Sequence, residues 1–161
     1  MTHAQAIVFE SPQQLSVQTL ELKPFEANDL EVEVGFSGIS TGTERLLWDG
    51  TMPPFPGLGY PLVPGYETVG TVVRVTAPMV ASTGGSASIA VGEQVFIPGS
   101  YSFQGVRNIF GGAGSRLIVP HDRVVRVAPE LGPKAVLLAL AATCYHTISL
   151  GGGREKSCDN R

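Results

Sequence analysis

Short runs of strict apolar–polar alternation, each cut off by Gly or Pro, fill this chain as far as Pro133 and commit it to a mainly β fold. The clearest covers residues 30 to 36. Leu30, Val32, Val34 and Phe36 fall on one side and Glu31, Glu33 and Gly35 on the other, the period of a strand with one buried face. Residues 5 to 10 (Q-A-I-V-F-E) and 14 to 22 predict two more strands parted by Ser11-Pro12; in the second, Leu15, Val17 and Thr19 oppose Ser16, Gln18 and Leu20. Residues 67 to 75 are rich in β-branched side chains, which pack well on a pleated surface, and Gly70 among them predicts a bulge or a close backbone approach. Further strands are expected within 91 to 98, 115 to 119 and 124 to 127, with Pro120 and Pro129 as stops. Strand signals this short and frequent predict a barrel or sandwich, not a repeating βα unit.

The pattern changes once. Residues 134 to 149 predict a helix, with Pro133 near its start and Gly151 just past its end. Apolar nearly all round, it expects protein on most sides, and Cys144 within it reads as a small core residue. Residues 1 to 150 thus form one domain, and the polar stretch 151 to 161 reads as a flexible tail. Residues 82 to 88 (S-T-G-G-S-A-S) read as a low-complexity surface loop, and residues 99 to 114, with Tyr101, Phe103, Phe110 and a Gly pair, as a mobile one.

Composition narrows the function classes. A net charge of −3 with scattered Lys and Arg leaves no broad basic surface for nucleic acid. No uncharged apolar run reaches the ~18 residues of a membrane span, and M-T-H-A-Q lacks the basic start and apolar centre of a signal peptide. A cytoplasmic location is expected. Cys144 and Cys158 form neither a metal knuckle nor a disulfide framework.

Residues 34 to 70 carry the chemistry. A strand stops at Gly38, a loop presents Ser40, Thr41, Thr43 and Glu44, a short apolar turn follows around Leu46, Leu47 and Trp48, and a Pro/Gly-rich crossing delivers Tyr66 and Glu67 to the next strand. Pro fixes one backbone dihedral and Gly permits turns closed to other residues, so the crossing is stiff. Polar side chains at two element ends joined by a stiff connector suit a preformed site. They equally suit a capped turn on an ordinary surface loop.

The motifs G-I-S-T-G-T-E (38 to 44), P-L-V-P-G-Y-E-T-V-G (61 to 70), V-G-E-Q-V (91 to 95) and T-C-Y-H-T (143 to 147) resemble, in order and spacing, the catalytic domain of the medium-chain dehydrogenase/reductase superfamily. The resemblance implies a GroES-like β-barrel with a C-terminal helix. Within the superfamily, S-G-I-S-T-G-T-E-R-L-L-W-D-G and P-F-P-G-L-G-Y-P-L-V-P-G-Y-E are most similar to dehydrogenases of bacteriochlorophyll biosynthesis. Those enzymes oxidise the 3-(1-hydroxyethyl) group of a chlorin to acetyl, with NAD as acceptor. The implied partners are therefore a chlorin and NAD, and the longer enzyme is one that can form homo-oligomers.

Two departures from the superfamily pattern matter. Zinc members have Cys where Ser40 stands and His where Tyr66 stands, and a hydroxyl and a phenol are poor substitutes on zinc. With no Cys in the region of the structural zinc lobe either, no zinc is expected. The superfamily's dinucleotide-binding domain opens on a Gly-rich turn between a strand and a helix. Gly151-Gly152-Gly153 has no strand before it, so the chain is expected to be a catalytic-domain fragment without the Rossmann domain, binding substrate without turning it over.

On this reading Ser40, Thr43, Tyr66 and Glu67 surround the vacated metal position as catalytic residues, and Thr41 and Thr143 face the dinucleotide. Trp48, Phe55 and Tyr60, with Met52 and Leu58, offer an apolar wall for the macrocycle, with His146 also on the substrate side. Each has a plainer alternative. Tyr66 and the crossing's apolar residues suit packing against the barrel, Glu67 suits a structural bond to backbone amides, and each Thr suits a cap or a bond to its own helix. His146 suits a buried imidazole satisfied by backbone, or else a proton relay or magnesium ligand. Two other functions fit the same motifs: a zinc-less quinone or enoyl reductase, and a non-catalytic GroES-like binding module.

Overall fold

The computed structural model describes residues 2–76 and 89–151. The expected loop at 82 to 88, the tail from 152 onward and Cys158 lie outside the described residues. Strands β1 (His3–Ser11) and β2 (Gln14–Glu21) form an antiparallel hairpin. Strands β3 (Asp29–Ser37), β4 (Thr68–Val75), β5 (Gln94–Ile97), β6 (Arg116–Pro120) and β7 (Val125–Arg126) build a second antiparallel sheet in the order β6-β3-β4-β5-β7. A seven-residue helix α1 (Thr43–Asp49) follows β3 where only a short turn was expected.

Isolated bridges tie the hairpin and the residue after it to the segment that leads into β6, Ala6 to Gly114 and Leu22 to Phe103 among them. They close the sheets round one core, in which Ala4, Ala6 and Val8 of the hairpin meet Val32, Val72 and Leu117. Alternation explains the inward face of β1. It fails at the far end of β3, where register shifts at Glu31/Val32 and Val34/Phe36 turn Phe36 outward. The same shifts bury Glu31, whose carboxylate is held by Arg74 and Arg116, each at 3.0 Å. Gly70 sits at the close approach expected of it: a Cβ there would lie 2.4 Å from the Glu33 carbonyl oxygen.

Residues 99 to 114 are not the loose loop expected. Ser102 Oγ donates to the Ile118 carbonyl and accepts from the Ile118 amide, both at 2.9 Å, and Asn108 clamps both backbone groups of Phe103. Buried Ser100, Ser102, Phe103 and Ile109 hold the segment down.

The late helix differs more. Pro129–Leu137 is a 3₁₀ stretch interrupted at Gly132, and the α-helix proper, α2, runs Leu138–Leu150. Only its approach is packed: Ala135, with Val136, Leu138 and Ala139, meets Val69, Phe96 and Val127. The helix expected to be enclosed is exposed from Leu140 onward, Cys144 and His146 included; only Leu138 and Ala139 at its start are packed. Residues 129 to 150 have the length and mean hydropathy of a membrane span. The α-helical part, Leu138–Leu150, is 13 residues, short of the ~20 a spanning α-helix requires.

Candidate active site

Register brings the polar residues together. Ser37, the last residue of β3, pairs with Thr68, the first of β4, so the loop after β3 and the segment before β4 leave the sheet side by side. The Gly38 amide donates to the Glu67 carbonyl at 2.7 Å. A Cβ on Gly38 would lie 2.5 Å from Glu67 Oε2, so the carboxyl fills the space that glycine leaves. On the neighbouring turn the Tyr66 phenol donates to Thr43 Oγ1 at 3.2 Å, and its ring meets Phe110 edge-on at 5.1 Å. The Thr43 amide points at Ser40 Oγ across a long 3.5 Å. Ser40, Thr43, Tyr66 and Glu67 are thus gathered at one corner.

Glu44, not singled out among the expected site residues, joins them. As the second residue of α1 it turns inward, and it and Glu67 are both buried, each with one oxygen (Oε2 of Glu44, Oε1 of Glu67) lacking a hydrogen-bond partner among the described residues. Burial pushes the Glu44 carboxyl above the ordinary carboxylate range; the Ser40 amide partly offsets this, and the charge of Glu67 pushes the same way as burial. Acidic residues in the first turn of a helix are usually explained by its dipole, so the sequence places Glu44 on the loop without giving it a site role.

Beside the corner lies a cleft of about 810 Å³, within the roughly 300–1,000 Å³ usual for small-molecule sites; Thr43, Tyr66 and Glu67 are not among its lining residues. Ser40, Thr41 and Glu44 line it on one side. Its walls are mainly apolar, with Ile7, Leu15 and Val17 from the hairpin, Ile39 from the loop and Trp48 from α1; Gln5, Ser37, Arg45 and Ser115 are the other polar residues on it.

The remaining predicted residues are dispersed. Trp48 stacks edge-on against Phe9 at 5.7 Å and reaches the cleft. Tyr60, Met52 and Leu58 instead pack with Leu47, Leu62 and Ile109 beneath the crossing. The Tyr60 hydroxyl donates to the Leu47 carbonyl, and burial holds its phenol above the usual range. Phe55 is partly exposed on the crossing, outside the cleft lining. Thr41 lies on the cleft, while Thr143 sits on exposed α2 with its hydroxyl bonded to the Ala139 carbonyl at 3.0 Å. His146 is exposed on the same helix, not buried and backbone-satisfied.

The donor set does not fit zinc. The corner offers two carboxyls, two aliphatic hydroxyls and a phenol, with no thiolate or imidazole, and no cluster of three His, Cys, Asp or Glu side chains occurs among the described residues.

The antiparallel strand arrangement is shared with solved alcohol dehydrogenases. The chain aligns structurally with a cinnamyl alcohol dehydrogenase from Sorghum bicolor at a TM-score of 0.72, covering 96% of this chain and 49% of that one at 20% identity. Sequence relatives sharpen the placement. Over 146 residues, 90% of its length, the chain is 48% identical to the 2-desacetyl-2-hydroxyethyl bacteriochlorophyllide A dehydrogenase of Rhodobacter capsulatus. It is 46% identical over 149 residues to the protein of the same name in Cereibacter sphaeroides. It spans 44% of each of these relatives. No family model matches the chain. Fold and sequence agree with the resemblance to medium-chain dehydrogenases: the chain shares its fold with a solved alcohol dehydrogenase and is similar to the bacteriochlorophyllide dehydrogenases over 44% of their length.

Proposed function

We propose that the chain is the substrate-holding part of a cytoplasmic, zinc-independent, NAD-linked alcohol dehydrogenase that oxidises the 3-(1-hydroxyethyl) group of a bacteriochlorophyllide to acetyl. The observation that carries this reading is the oxygen-only corner of Ser40, Thr43 and Tyr66, of which Ser40 lines a large, mainly apolar cleft.

Oxidising a secondary alcohol takes a proton from oxygen and a hydride from carbon. A bound nicotinamide supplies the hydride acceptor; the protein must orient the alcohol and remove the proton. Because the Tyr66 phenol already donates to Thr43, its own lone pairs are left to accept the substrate hydroxyl. Ser40 steadies the same hydroxyl from the loop. A proton arriving at Tyr66 Oη releases the phenolic proton to Thr43 Oγ1, which passes its own hydroxyl proton on to a carboxylate of the corner or to water. The unpartnered Glu67 Oε1 and Glu44 Oε2 are the acceptors in reserve at that corner. Thr41, on the cleft, is assigned to the cofactor side. Thr143 has the same assignment, though its hydroxyl is engaged with its own helix.

The test replaces the matched 44% of the Rhodobacter capsulatus relative with this chain and follows NADH formation from a 3-(1-hydroxyethyl) chlorin. Turnover is expected. A folded chimera that leaves the chlorin untouched overturns the proposal, and quinone reduction by NADPH from the same chimera would assign it to the quinone reductases.

A further inference from the structure

The sequence suggested that the aromatic crossing would hold a macrocycle, yet most of that crossing faces inward. The outer face of the hairpin does not. Ile7 pairs with Val17 and Phe9 with Leu15 across β1 and β2, so these four side chains make one continuous apolar face on the side away from the core residues Ala4, Ala6 and Val8. Phe9 is covered by Trp48, but Leu15 is 51% and Val17 65% exposed. Ile39, on the loop that carries Ser40, is 77% exposed and lines the same cleft. Large aliphatic side chains left open at this density beside a polar corner are the mark of a ligand surface.

One charge accompanies them. Arg45 is the single cationic side chain among the described residues lining the cleft. Its guanidinium is largely exposed and meets Asp49 only across 3.5 Å, an arrangement that leaves it free to turn towards a ligand. A chlorophyllide differs from its esterified form in carrying one free propionate carboxylate on an otherwise apolar disc. A flat apolar face with one cation at its margin complements that molecule.

We infer that the hairpin face of Ile7, Leu15 and Val17, with Ile39 beside it, holds the plane of the chlorin, and that Arg45 takes its propionate carboxylate. This rests on the chlorin reading above and adds where the substrate lies and what selects the free acid. None of these side chains touches the reacting hydroxyl; they are specificity-determining residues.

Trp48 is the chain's one tryptophan and lies in the cleft, so its emission reports occupancy. The experiment titrates the chain and its Val17→Glu, Ile39→Glu and Arg45→Ala variants with chlorophyllide a and, separately, with its methyl ester. Circular dichroism verifies that each variant is folded; all three positions are exposed, and Ile39 lies outside the strands. Each glutamate is expected to weaken both ligands about tenfold or more by placing a charge against the disc. Arg45→Ala is expected to weaken the free acid about fivefold and leave the ester unchanged. Wild-type quenching retained by both glutamate variants would overturn the inference and leave the chlorin reading standing. An equal effect of Arg45→Ala on acid and ester would overturn the carboxylate assignment. No quenching by either ligand in the wild type would overturn the inference and the chlorin reading together.

Discussion

Two apolar surfaces flank the polar corner, and they are used differently. The crossing from Met52 to Tyr60 carries the conspicuous aromatics but turns Tyr60, Met52 and Leu58 onto Leu47 and Leu62, and the Tyr60 hydroxyl is tied to the Leu47 carbonyl. The hairpin carries plain aliphatics and leaves Leu15 and Val17 open to the cleft. Aromatic side chains with a polar tip are easily satisfied in a core. The surface free to bind is the one whose burial no described residue completes.

Truncation should separate the two surfaces most sharply. Leu47→Ala, at a fully buried position beneath the crossing, is expected to cost about 2–5 kcal/mol in urea unfolding, whereas Val17→Ser should stay within about 0.5 kcal/mol. Equal losses would erase the distinction. Gly70→Ala tests the frame that holds the corner: its Cβ would meet the Glu33 carbonyl oxygen at 2.4 Å and Val32 Cγ1 at 2.6 Å, so a loss of about 1–3 kcal/mol is expected. Tyr60→Phe removes the bond to Leu47 and should cost about 1 kcal/mol while leaving chlorin affinity unchanged. A large fall in affinity would return Tyr60 to the substrate surface.

The smallest effect is a slope. The Glu44 carboxyl is raised by burial above its ordinary 4.5, so its protonated form suits the fold and its ionised form opposes it. Stability from this group is full below the unfolded value and is lost as pH rises through the higher folded one. Glu44→Gln should therefore flatten the decline in unfolding free energy above about pH 4.5. An unchanged slope would show that Glu44 ionises without cost.

What the sequence revealed follows from what local patterning encodes. All seven strands lie in or next to expected segments because alternation and Pro/Gly stops are local signals. Phe36 and Glu31 were misassigned because bulges shift the register, and no one-strand pattern contains its partner's register. Ser40, Thr43, Tyr66 and Glu67 do converge, since residues at paired strand ends are neighbours in the sheet. Glu44, named on the loop, was given no site role because burial of a first-turn acid depends on the packing above it. The exposure of His146 and Cys144 was hidden for a related reason: an apolar helix looks the same whether or not something covers it.

The account depends on alcohol chemistry handled by side-chain oxygens at the Tyr66–Thr43 corner. Its most direct test is the chimera's rate of NADH formation from the hydroxyethyl chlorin after exhaustive dialysis against a strong zinc chelator, with metal content measured on the same sample. The account predicts an undiminished rate at far less than one zinc per chain. A rate abolished by the chelator and restored by added Zn²⁺ would contradict it.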